Sequence, residues 1–147
     1  MSGGGDAQAG AVVVGASGGL GAAFVEALRA RGGYATVLAL SRSAPPDAGS
    51  SAGPRVDARA PRLVRGRIDV TDEASIERAA ALAASLAPPR LVIVATGLLH
   101  APDGLRPEKS LAQVDPARLA RLFAVNATGP ALVAKHLLPR MPRTGRS

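Results

Sequence analysis

The 147-residue chain contains no cysteine and no tryptophan, with only two phenylalanines and one tyrosine. Without thiols it can form neither a disulfide nor a thiolate metal site, and its two histidines, His100 and His136, stand far apart, so no metal is expected. With aromatics at 2% and hydrophobic residues at 47%, the core has to be assembled from Ala, Val, Leu and Ile. The same scarcity removes the stacking platforms on which nucleic-acid bases are held. Sixteen of the eighteen basic residues are arginine, and they are scattered along the chain, so the net charge of +7 is read as long-range attraction for anions and no nucleic-acid partner is expected. No apolar run approaches the length that spans a bilayer, and the opening MSGGGDAQAG lacks the charged head and apolar stretch of a signal peptide. These absences lead us to expect a cytoplasmic protein with no membrane partner, a disordered segment over 1–10, and one domain over 11–147.

What is present is an alternation of elements. Apolar runs at 11–14 (AVVV), 36–40 (TVLAL), 63–68 (LVRGRI) and 91–95 (LVIVA) read as strands, three of them apolar enough to be buried on both faces. After the first comes a helical pattern with Leu20, Ala23, Phe24, Ala27 and Leu28 on one stripe, closed by Gly32 and Gly33. A second helix is expected after Thr71 as N-cap, with Asp72 and Glu73 in its first turn and a stripe of Ile76, Ala80 and Ala83, ending at Pro88-Pro89. A third starts at Asp115-Pro116 and is expected to run to about Leu138. Segment 43–61, rich in Pro, Gly, Ser and Ala, reads as a long connection. Strand–helix alternation of this kind gives a parallel sheet of the α/β class.

The stretch AVVVGASGGLGAAF places Gly15, Gly19 and Gly21 in the pattern G-x-x-x-G-x-G between a strand and an amphipathic helix. In that context glycine lets the backbone turn sharply and approach a pyrophosphate, whose charge rests on the helix N-terminus, with Gly18 and Leu20 in the same turn and the Ser17 hydroxyl beside it. A tight strand-to-helix turn that needs small residues only for packing is the alternative. The spacing resembles the glycine motif of the short-chain dehydrogenase/reductase family, with Val14 where that family usually has threonine.

The resemblance continues downstream. LSRS after the second strand offers Arg42 with Ser41 and Ser43 and no acidic residue, which favours a 2′-phosphate and therefore NADP(H) over NAD(H); a solvated arginine at a strand end is the alternative. In IDVTD, Asp69 matches the family aspartate that meets the adenine amino group, with Val70 beside the ring, although Asp69 could equally belong to the turn entering the next helix. VATGLLH matches the family's Asn-Asn-Ala-Gly segment at Gly97, with Ala95 and Thr96 against the cofactor and both asparagines replaced, by Val94 and Ala95. Asn126 in VNATGPALVAKHLLPRM resembles the asparagine of the catalytic Asn-Ser-Tyr-Lys set, which acts through its main-chain carbonyl. Pro130 has no N–H to give that carbonyl, so the helix there is expected to be disturbed, with or without a catalytic purpose. Across GLLH, RPEKSL and VNATGPALVAKHLLP the likeness narrows to the C-factor-like branch.

The resemblance implies a Rossmann-type parallel sheet with flanking helices, here about four strands in the order 3-2-1-4, truncated and incomplete at the C-terminus. It implies an oxidoreductase that passes a hydride between a nicotinamide and a small carbonyl or alcohol substrate. Family chemistry also needs a catalytic serine and Tyr-x-x-x-Lys. The one tyrosine, Tyr34, precedes Ala35, Thr36, Val37 and Leu38, and the lysines are Lys109 and Lys135, so the motif is absent and the chain alone is expected to be inactive. A non-catalytic nucleotide-binding or oligomerising module, forming homo-oligomers through the helix over 116–138, is the second reading. His100 and His136 have no acid/base partner nearby in sequence.

Overall fold

The computed structural model describes residues 8–44 and 60–143. Most of the expected 1–10 segment, and nearly all of the 43–61 connection, lie outside the described residues; Gly10 itself opens the first strand.

Four strands form one parallel sheet: β1 (Gly10–Val14), β2 (Thr36–Ser41), β3 (Arg62–Arg67) and β4 (Pro89–Val94), in the order β3-β2-β1-β4. The expected order and class are both realised. β1 and β2 are central and apolar because side chains on both of their faces must be covered, and every residue of β1 is buried. β4 pairs with β1 alone, in register from Ala11↔Leu91 to Val14↔Val94, and is half-buried along most of its length.

Helices cover the two faces. On one side α1 (Gly19–Arg31) packs Val25 and Leu28 against Ala11, Val13, Val37 and Ala39, with Gly21 against the turn at Gly15 and Ala16. On the other, α2 (Glu73–Leu86) and α4 (Gly129–Leu137) bury Ile76, Ala80, Val133 and Leu137 against Val12, Val14, Leu38, Leu40 and Val64. α2 meets the sheet mainly through alanine, at Ala79, Ala80 and Ala83, as suits a chain nearly without aromatics. α3 (Pro116–Phe123) buries none of its residues.

Three local expectations need correction. The apolar stripe assigned to the first helix is mostly its exposed flank: Leu20 is 74% exposed and Phe24 40%, while Val25 joins Leu28 against the sheet. An alanine-rich helix offers several overlapping stripes, and the close approach at Gly21 selects this one. Asp72, not Thr71, caps α2, accepting a hydrogen bond from the Ala74 amide at 3.0 Å; Thr71 turns back to Asp69 instead. The third helix does not run unbroken. Asp115 caps α3 as expected, but a π turn over Ala124–Thr128 separates α3 from α4. Pro130 cannot donate to the carbonyl four residues back, and the helix widens there, with the Gly129 amide bonding the Ala124 carbonyl.

α2 and α4 are also joined by charge. Glu73 Oε1 accepts hydrogen bonds from Lys135 Nζ at 2.6 Å and from His136 Nε2 at 2.9 Å. His136 thus has an acid partner, 63 residues away and brought near only by folding. Hydrogen bonds from Lys135 and His136 hold the Glu73 carboxyl below its ordinary value of 4.5. A group depressed in the folded state stabilises above its unfolded value and loses that contribution as pH falls through the folded one. Acid unfolding of Glu73→Gln is therefore expected to be less steep than that of the parent below pH 4.5, with the two stabilities converging in that range. Circular dichroism titration checks this, and identical acid profiles would contradict it. Among the described residues no helix is long and apolar enough to cross a membrane.

Candidate functional site

Because all four strands run parallel, their C-terminal ends lie on one side of the sheet, and a groove of about 570 Å³ opens there. Gly15, Ser17 and Gly18 line it from the β1–α1 turn, Ser41 and Arg42 from the end of β2, Asp69 and Val70 from the segment after β3, and Ala95, Thr96 and Gly97 from the end of β4. Ten of the residues singled out from sequence thus meet in one cleft. The volume is that of a small-molecule site, in the crevice where open α/β sheets bind ligands. A hollow of about 590 Å³ near Arg106, Gln113 and Arg118 is as large, but no strand end reaches it.

The turn between β1 and α1 is built by crowding. Gly15 has φ +88°, and a Cβ on it would stand 2.9 Å from the Ala95 carbonyl carbon; a Cβ on Gly21 would stand 2.1 Å from the Gly15 oxygen. The amides of Gly15 and Ala16 both donate to the Leu40 carbonyl at 2.9 Å, tying the turn to β2. Packing therefore explains those two glycines. It does not explain Gly19, whose Cβ would meet nothing within 4 Å among the described residues. Gly19, Leu20 and Gly21 form the first turn of α1, where amides have no acceptor within the helix, and Gly18 supplies no side-chain cap. The first intrahelical bond runs from the Ala22 amide to the Gly18 carbonyl at 2.8 Å. The positive end of α1 is consequently open beside the groove. Gly19, Leu20 and Gly21 do not themselves line it.

Asp69 combines both readings made of it. Its Oδ1 accepts the Thr71 amide at 2.9 Å and the Thr71 hydroxyl at 2.7 Å, which shapes the turn into α2, while the residue lines the groove. The Thr71 hydrogen bonds lower its carboxyl below the ordinary 3.8, with Arg42 and Arg67 adding to the effect. Oδ2 has no partner among the described residues and is left to accept from a ligand. Arg42 makes no ion pair among the described residues, and the Ser41 and Ser43 hydroxyls lie 3.5 Å apart beside it.

The β4 wall offers Gly97, whose Cβ would meet nothing within 4 Å among the described residues, and Thr96, whose buried Oγ1 has no hydrogen-bond partner among them. Asn126 is not a lining residue. From the π turn its Oδ1 accepts the Leu98 amide at 2.7 Å and its Nδ2 donates to the Leu98 carbonyl at 2.8 Å, so the side chain clamps the wall beyond Gly97. His100, Arg121 and Val125 also line the groove and were not anticipated. Arg121 pairs with Asp103 Oδ2 at 2.5 Å, and its hydrogen bond lowers the Asp103 carboxyl. Eighteen residues separate that pair. No spacing signal in the sequence joined them.

The fold and its cleft define a Rossmann-type α/β domain with a ligand-sized crevice at its strand ends. The family model described as short chain dehydrogenase matches residues 9–147, and the chain belongs to that family. Solved structures agree on the fold. An NADPH-bound carbonyl reductase from chicken fatty liver superposes with TM-score 0.70 at 25% identity, covering 92% of this chain and 48% of that one. A dehydrogenase/reductase from Sinorhizobium meliloti 1021 gives 0.71 at 23%, covering 92% and 50%. An NADH-dependent reductase complexed with NAD gives 0.70 at 21%, covering 90% and 51%. The chain thus spans about half the length of these structures. No curated protein matches it.

Proposed function

We propose that this chain is the nucleotide-binding part of an NADP(H)-dependent short-chain oxidoreductase of the C-factor-like branch, acting in the cytoplasm on a small carbonyl or alcohol substrate. The observation that carries the reading is the groove itself, lined by Arg42, which makes no ion pair among the described residues, and by Gly97, with open space in front of it, beside the uncapped start of α1. These features fit a dinucleotide. The open amides of α1 with Ser17 would hold the pyrophosphate, Asp69 and Val70 the adenine, Arg42 with Ser41 a 2′-phosphate, and Ala95, Thr96 and Gly97 the far half. When bound, the nicotinamide supplies or accepts a hydride. Asn126 fixes the wall at Leu98, and its main-chain carbonyl is the proposed holder of a relay water.

The 147 residues contain no Tyr-x-x-x-Lys. That favours, for this stretch alone, nucleotide binding without turnover, which is also what the non-catalytic reading requires. Titration of the chain with NADPH and NADH separates the cases. NADPH is expected to bind more tightly, and Arg42→Ala to weaken NADPH about tenfold or more while leaving NADH nearly unchanged, since a hydrogen bond to a charged group contributes about 1.5–3 kcal/mol. Negligible affinity for both nucleotides would sink the proposal.

A further inference from the structure

We infer that Arg67 is a second arginine of the 2′-phosphate site, set beside Arg42 by the pairing of β2 with β3; this rests on the nucleotide reading above and deepens it. Ser41 and Arg67 are register partners at the C-terminal ends of two parallel strands, so their side chains leave the sheet on the same face. That face is the one α1 covers. Val37 and Ala39 of β2, and Leu63 of β3, belong to the α1-side cluster, whereas Leu38, Leu40 and Val64 belong to the opposite one, and alternation carries Ser41, Arg65 and Arg67 to the α1 side. The uncapped N-terminus of α1 lies on the same side.

Arg67 is exposed and makes no ion pair or hydrogen bond among the described residues. Its guanidinium and that of Arg42 both act on the Asp69 carboxylate, so both charges bear on one end of the groove. Two guanidinium groups, together with the neighbouring Ser41 and Ser43 hydroxyls, would supply the forked donors that a dianionic phosphate takes, and an uncharged ribose hydroxyl would gain little from the second. A plain charged residue on an edge strand is the competing account, and Arg65 provides its control, since it stands on the same strand and face two residues further from the strand end.

The test is titration of the 147-residue chain with NADPH and with NADH for the parent, Arg67→Ala, Arg67→Gln and Arg65→Ala, each with a thermal melt. Arg67→Ala and Arg67→Gln are expected to weaken NADPH by about tenfold and NADH by less than about twofold, with Arg65→Ala like the parent. Arg67→Gln decides if the alanine variant fails to fold. NADPH unchanged in both Arg67 variants, or both nucleotides weakened alike, overturns the assignment of Arg67 while the cleft stays a nucleotide site. A parent chain that binds NADH as tightly as NADPH also overturns it. A parent chain that binds neither nucleotide overturns the functional reading, and this inference with it.

Discussion

Gly21→Ala is expected to cost the chain about 3 kcal/mol or more of stability, at the upper end of what overpacking does. The added Cβ would sit 2.1 Å from the Gly15 oxygen and 2.9 Å from the Ala16 Cα, and both obstacles are backbone that a rotamer change cannot move. Relief requires α1 to withdraw from the turn, so nucleotide affinity should fall together with the melting temperature. Gly19→Ala is the matched comparison. No atom of the described residues lies within 4 Å of its Cβ position, and alanine suits a helix better than glycine by about 1 kcal/mol, so the melt should hold or rise while nucleotide binding weakens. Thermal melts and titrations of both variants provide the check; a parent-like melt for Gly21→Ala would refute the close approach.

Gly129→Ala is expected to be the next most damaging change, at about 2 kcal/mol. Gly129 is buried at the start of α4, and a Cβ there would stand 2.9 Å from the Val70 Cβ and 3.0 Å from the Val70 carbonyl oxygen. Val70 lines the groove, so the displacement would be felt at the adenine end of the proposed site as well as in the core. Urea unfolding with NADPH titration measures both effects. Val70→Ala in the same chain should recover part of the lost stability, because it removes the Cγ2 contact at 3.0 Å. No recovery would place the strain elsewhere.

The sheet was legible because burial on two faces leaves an unbroken apolar run, and AVVV, TVLAL and LVIVA each became a strand within one or two residues of its expected ends. The groove was legible because the motif residues stand at strand ends, and a parallel sheet puts those ends together. Contacts between elements distant in sequence were not. The Asn126 clamp on Leu98, the Asp103–Arg121 pair and the Glu73 contacts with Lys135 and His136 depend on how the helices lie across the sheet, and no periodicity encodes that. At Pro130 the missing N–H announced a disturbance, and only the packing around α4 decided that it would be a π turn. Leu20 and Phe24 were misassigned for the converse reason: a large apolar side chain was taken as the mark of the buried face, when the close approach at Gly21 turns Val25 and Leu28 to the sheet.

The two margins of the sheet are unlike. Along β3, Arg62, Arg65 and Arg67 set cations at the rim, so two such rims brought together repel each other. Along β4 the sequence PRLVIV carries one arginine near its start and then four aliphatic residues. Crowding the chain in solution therefore tests that second rim, and lowering the ionic strength, which lengthens the reach of the arginines, keeps molecules apart.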